Sequence, residues 1–439
     1  MDITVIFAVL WVSLALAVSL LLSKLMKIIH FPNVTGYLIG GIIIGPWVFG
    51  LLINQQEGMS EMLSGFSWIT EIALGFIAFT IGGSFKLSSL KKVGKRATVI
   101  AISEALGGSL VVIGILFLAY FLGLKNVGLT IPMILTLGAI ACATAPAATL
   151  LVINQYKAKG PVTETLVPVV AFDDAVALIA FAVLFSIAKI VQIGGEFDPI
   201  KALLIPFLEI VISILLGGVM GFIISMATRF FKSRHNRLIL LITSVLLCVA
   251  ISQIDTAKVF GWSFSFSLSS LLTVMALGGV YANLAKGKTI TYEYLDKFTS
   301  PIFMLFFVIS GARLDFSVFG SKSALIVIVI AAIYLLSRVL GKWAGSAFGS
   351  TVTKSPDIVK KYLGFALVPQ AGVALGLAAN AQSYMIGLDN PVGTNEEARK
   401  IGILIYTIII VSTMVYELTG PLITKWALTK AGEIPKSAS

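Results

Sequence analysis

Two adjacent carboxylates, Asp173 and Asp174, lie deep in an apolar stretch, with Val167–Val170 before them and Val176–Leu184 after. An ionisable side chain near a bilayer centre costs at least about 2.5 kcal/mol, so it marks a functional site by default. Neighbouring residues on a helix point about 100° apart. One acid can therefore face a water-filled cavity while the other pairs with a base. Desolvation disfavours the charged carboxylate, so such a group holds either a proton or a cation, but not both. That competition is the minimum chemistry of cation/proton exchange. A misplaced helix end would also put two acids side by side, but the apolar flanks on both sides argue against it.

A second feature is Ala143-Thr144-Ala145-Pro146-Ala147-Ala148-Thr149, one apolar stretch earlier. Pro146 removes a backbone donor and clashes with the preceding turn. The freed carbonyls and the Thr144 hydroxyl suit a small cation, and broken helices near the midplane are typical of transporters. A simple proline kink is the other reading. The third feature is Tyr334–Lys342, where Arg338 and Lys342 are spaced to share one helix face. A buried base there can pair with Asp173. Arg338 lies deeper in the apolar run and is the first choice. Lys342 can snorkel to an interface and is the second. The alternative is that both are interfacial anchors.

Glu104, about two turns after Lys95-Arg96, and Glu417 are weaker candidates, equally readable as satisfied structural acids. Glu71, Glu164 and Glu209 stand nearer helix ends and are given no role. Cys142 and Cys248 read as small buried hydrophobes. His30 and His235 sit beside basic loop residues, so no histidine metal site is expected. No cofactor is expected beyond the transported ions.

The elements that must position these residues follow from composition. Of 439 residues, 58% are hydrophobic and 12% charged, against about 25% charged in soluble domains. This much apolar surface needs lipid, and a single all-α membrane domain over residues 1–439 is expected. A spanning helix needs about 20 apolar residues. Thirteen stretches qualify: 3–22, 34–52, 67–85, 98–122, 127–153, 162–191, 202–228, 237–252, 261–284, a short tenth at 298–311, 323–349, 361–385 and 400–428. Alternate loops collect the bases, among them Lys91, Lys92, Lys95, Arg96, Lys157, Lys159, Arg229, Arg234, Arg237, Lys360 and Lys361. The other loops hold most of the acids, including Glu57, Glu61, Glu196, Asp198, Asp389, Glu396 and Glu397. The positive-inside rule then puts the N-terminus outside, the C-terminus in the cytoplasm and the number of spans odd. The net charge of +11 is explained by these loops, which disfavours nucleic acid as a partner. No cleavable signal, soluble regulatory domain or phosphate-binding loop is evident, so transport must draw on a gradient.

With these residues in view, the chain resembles the monovalent cation:proton antiporter superfamily. The resemblance covers nearly the whole chain. It is carried by Pro32–Pro46, by Thr70–Gly82, by Ser300–Gly311, by Val368–Leu375 and by the acid pair. It implies inverted repeats, a dimerisation domain, and a core domain with two crossed unwound helices, here around Thr144-Ala145-Pro146 and around Ser310. It further implies an elevator-like alternating access, a homodimer, and a multi-pass place in a prokaryotic plasma membrane. By motif position Asp174 matches the acid that binds Na⁺ and carries the proton. Asp173 matches the acid that pairs with a base, and Arg338 falls about where that base sits. In many two-acid relatives the base is lysine, and one branch carries Asp where this chain has Ala145. Exchange of Na⁺ or Li⁺ for H⁺ is the leading expectation, with K⁺/H⁺ exchange the alternative. A sodium-coupled symporter or a channel belongs to a different class. An intramembrane aspartyl protease is disfavoured, because it needs acids from separate helices sharing a proton.

Overall fold

In lipid every backbone N–H and C=O must be satisfied within the chain, which leaves helices and closed barrels as spanning structures. The structure, a computed structural model, is built from helices throughout its described residues. These are 3–28, 33–84, 87–145, 149, 152–153, 156–193, 199–231, 233–254, 268–285, 288–314, 323–370, 372–388 and 394–435. The α-helices are α1 (Ile3–Ile28), α2 (Asn33–Ile44), α3 (Gln56–Gly65), α4 (Ser67–Ser84), α5 (Leu87–Phe121), α6 (Ile131–Ile140), α7 (Pro161–Ile193) and α8 (Pro199–Ala227). They continue as α9 (Arg234–Ser252), α10 (Ser270–Leu284), α11 (Lys288–Ala312), α12 (Ser323–Val352), α13 (Asp357–Ala366), α14 (Gly372–Ile386) and α15 (Asn395–Lys430). Each of the thirteen apolar stretches contains helix among its described residues, while residues 146–148 and 150–151 of the fifth and 261–267 of the ninth lie outside the described residues. Among the described residues, seven helices are long and apolar enough to cross a membrane alone, or eight if the bent pair α3–α4 counts as one. The outer faces carry exposed Leu21, Leu52, Phe121, Leu325, Leu336 and Phe348, as a lipid-facing surface requires.

Two expectations change. The tenth stretch is not short, because α11 begins at Lys288 and takes in a polar first half. Ser310 does not sit at a helix break. It lies buried near the end of the continuous α11, where its carbonyl accepts from the Tyr406 hydroxyl at 3.3 Å. The second break falls between α13 and α14, at Val368-Pro369-Gln370. There the proline cannot donate, and the residue before it is pushed toward extended backbone.

One close approach governs the centre of the molecule. Along the α5–α12 seam a Cβ on Gly107 would stand 2.6 Å from Gly345 Cα, and one on Gly345 would stand 2.3 Å from the Ser103 carbonyl. Only glycine allows backbones that near, and the approach brings the side chains next to these glycines across to the facing helix. At the basic-loop end, α7 is started by a distant residue. The Glu433 carboxylate accepts from Val162 N (2.6 Å), Thr163 N (2.8 Å) and the Thr163 hydroxyl (2.7 Å). An anion on the first free N–H groups of a helix also suits its dipole.

Candidate functional site

Helix α6 is capped by the Thr130 hydroxyl, which accepts from Met133 N, and it stops at Ile140. Ala143, Thr144 and Ala145 run non-helically, and helix resumes by Thr149. Pro146 itself lies outside the described residues. The second break lies directly against the first. Ala145 N donates to Pro369 O at 2.8 Å. The Thr149 hydroxyl donates to Ala366 O at 3.1 Å, and the Thr144 hydroxyl reaches Leu367 O at 3.4 Å. Gln370 Nε2 joins them by donating to Ile140 O and to the Tyr334 hydroxyl, each at 3.0 Å. Thus two interrupted segments supply each other with part of what their helices lost.

Helix α12 supplies the rest. Arg338, fully buried, donates from Nε to Ala141 O at 3.0 Å, from Nη1 to Val368 O at 2.6 Å, and from Nη2 to Ala143 O. Its guanidinium carbon lies 4.8 Å from the centre of the Tyr416 ring. A planar fork with five donors suits carbonyls that arrive from two directions. Arg338 therefore ties the two breaks together.

One turn further along α12, Lys342 is equally buried. Its Nζ lies 2.8 Å from Glu104 Oε2 and 3.3 Å from Asp173 Oδ2. It also donates to the Thr144 hydroxyl at 2.8 Å and to the Cys142 carbonyl. Glu104 is delivered by α5 across the glycine seam, Asp173 by α7, and Thr144 by the first break. The base beside Asp173 is thus Lys342, the second choice from sequence. Arg338 pairs with no carboxylate among the described residues. Lys342 does not snorkel either, since α5, α7 and the first break close around it. Glu104 moves from the margin to the centre. Glu417 does not join: its carboxylate accepts from the Thr35 hydroxyl at 2.7 Å and links α15 to α2. Asp174 follows Asp173 in α7, and its side chain lies outside the described residues.

Chemically this is one ammonium between two carboxylates, all three without solvent exposure, beside a hydroxyl and backbone carbonyls. With every group charged, the carboxylates outnumber the base. Arg338, one turn away, is committed to backbone carbonyls, so the two acids share a single ammonium and can take up a proton or a cation. Among the described residues no three His, Cys, Asp or Glu side chains form a metal-ligand group. Sequence reasoning undervalued Gln370 and Pro369. The available signal was a polar residue beside a proline in the middle of an apolar stretch, the same signal that drew attention to Pro146.

Two facing helix breaks cross-linked by a buried arginine, with an acid–base cluster alongside, are the kind of arrangement found in membrane transporters. The family model for the transmembrane sodium/hydrogen exchangers matches residues 12–430, and the chain belongs to that family. A probable Na⁺/H⁺ antiporter of Bacillus cereus, GerT, is 26% identical over 80% of this chain and 84% of its own length. The high-affinity Na⁺/H⁺ antiporter NhaS3 of a Synechocystis strain is 25% identical over 80% of this chain and 77% of its own. The solved structure of the sodium proton antiporter MjNhaP1 from Methanocaldococcus jannaschii superposes with a TM-score of 0.74 at 20% identity. It covers 98% of this chain and 99% of that one, which shows a shared fold.

Proposed function

We propose that the protein is a secondary antiporter that exchanges protons for a monovalent cation, with Na⁺ or Li⁺ favoured. Proton and cation compete for the carboxylates around Lys342. The observation that carries this reading is the Glu104–Lys342–Asp173 cluster, with Lys342 Nζ at 2.8 and 3.3 Å from the two acids. Asp174 is the acid that binds the cation and carries the proton, next in α7 to an Asp173 that Lys342 restrains. Thr144 and the carbonyls of the first break line the same region and add oxygen ligands of the kind a hard monovalent cation takes. The curated relatives named as Na⁺/H⁺ antiporters support Na⁺ as the cation. A homodimer in the cell membrane, working by elevator-like alternating access, fits two breaks locked to each other as one body by Arg338.

Purified protein in liposomes with a trapped pH dye tests the proposal. A pH gradient is imposed and Na⁺, Li⁺ and K⁺ are added in turn. Dissipation by Na⁺ that disappears in Asp174→Asn is expected. Asp173→Asn is expected to retain partial exchange with a displaced pH profile, because Asp173 is held by Lys342. Full activity in correctly inserted Asp174→Asn removes the assignment, and a response to K⁺ alone changes the cation.

A further inference from the structure

Away from the centre, a cavity of about 470 Å³ opens at the far end of α7, the end remote from Lys157 and Lys159. Its walls come from α4, α7, α8, α9, α10 and α14. Two of these belong to the functional centre: α7 carries the acid pair, and α14 follows the second break. Among its lining groups are Glu71, Lys189, Glu209, Gln253, Asn380 and Tyr384. Lys189 lies sixteen residues beyond Asp173 on the same helix, about 24 Å along the axis at 1.5 Å per residue.

Lys189 is held as a bound cation would be. Its Nζ stands 4.6 Å from the centre of the Tyr384 ring and 5.1 Å from that of Phe185. The two rings meet edge to face at 5.6 Å. Glu209 of α8 is the opposite charge acting on Lys189. A lysine anchoring a helix to the lipid headgroups keeps its ammonium in water and lays its stem on apolar surface. Here the ammonium itself lies over two aromatic faces, one from α7 and one from α14, in a cavity that Glu209 of α8 also lines. Glu71, the other carboxylate of the cavity, is occupied separately, accepting from Gln253 Nε2 at 3.3 Å and facing the charge of Arg313.

We propose that this cavity is the outer vestibule of the cation path and that Lys189 is a tethered cation inside it. Its ammonium competes with the incoming monovalent cation for Glu209 and the Phe185–Tyr384 faces. The inference rests on the antiport reading above. A carboxylate and electron-rich rings in a recessed cavity concentrate cations, and a lysine ammonium belongs to the same class of ligand. Lysine suits the task because its charge is a compact point on a flexible stem that can withdraw. Its presence sets the external cation concentration at which the vestibule fills.

Oriented proteoliposomes test this, with initial exchange rates measured while Na⁺ is titrated on one face and then on the other. Lys189→Gln is expected to lower half-saturating Na⁺ about 3- to 5-fold on the vestibule face, the range of opposite charges acting on each other near solvent, and to leave the opposite face unchanged. Glu209→Gln is expected to raise it by a similar factor. The double variant is expected to return toward wild type, and Lys189→Arg to stay near it. Unchanged half-saturation on the vestibule face, or equal changes on both faces, overturns the vestibule assignment while antiport stands. Loss of all exchange in the unmodified protein overturns the antiport reading instead.

Discussion

Replacing Lys342 with alanine removes the ammonium that lies between Glu104 and Asp173. At 2.8 and 3.3 Å, and with an effective dielectric of about 20, each attraction is about 5–6 kcal/mol before desolvation is counted. Burying three charges cancels most of that, so the intact cluster contributes little net stability. Removing one partner is different, since it strands two carboxylates without solvent and costs about 3–5 kcal/mol. The sign with pH follows. Protons can replace the missing ammonium, so the deficit of Lys342→Ala should be smallest in acid and should widen as pH rises. Thermal unfolding of the detergent-solubilised protein, followed across a pH series, reads both effects. Adding Glu104→Gln and Asp173→Asn to Lys342→Met should restore stability, because neither carboxylate is then left stranded without its ammonium. A Lys342→Ala protein as stable as wild type at alkaline pH refutes the reasoning, as does a deficit that does not vary with pH.

Three further outcomes follow from the geometry. Arg338→Lys keeps the charge but cannot span carbonyls at Ala141, Ala143 and Val368. It should cost about 2–4 kcal/mol in unsatisfied acceptors and lower the unfolding temperature at every pH, unlike Lys342→Ala. Gly345→Ala places a Cβ 2.3 Å from Ser103 O. It should cost about 1–3 kcal/mol and weaken exchange by moving α12, and Lys342 with it, away from Glu104; normal exchange in that variant would show the seam to be compliant. Glu433→Ala strips three hydrogen bonds from the start of α7 and should destabilise by about 1–2 kcal/mol, read by the same unfolding assay.

Much of this protein was legible in one dimension. The cost of placing charge in lipid and the length needed to cross it depend on composition and run length, and these exposed the helices and singled out Asp173, Asp174, Arg338 and Lys342 as charges embedded in them. Helical spacing alone put Arg338 and Lys342 on one face. Proline was a poorer guide, because Pro168, Pro301 and Pro421 all lie inside continuous helices, whereas Pro369 stands at a break. The difference lies in tertiary partners: the carbonyls freed near Pro369 are met by Ala145 N and Arg338, which come from far along the chain. The same reason decided which base meets which acid. A shared face specifies direction only to within a turn, and one turn separates a guanidinium that holds backbone from an ammonium that holds Glu104 and Asp173. That final turn is set by how closely α5 and α12 approach at Gly107, Gly341 and Gly345, a separation between helices that no spacing along either helix can encode.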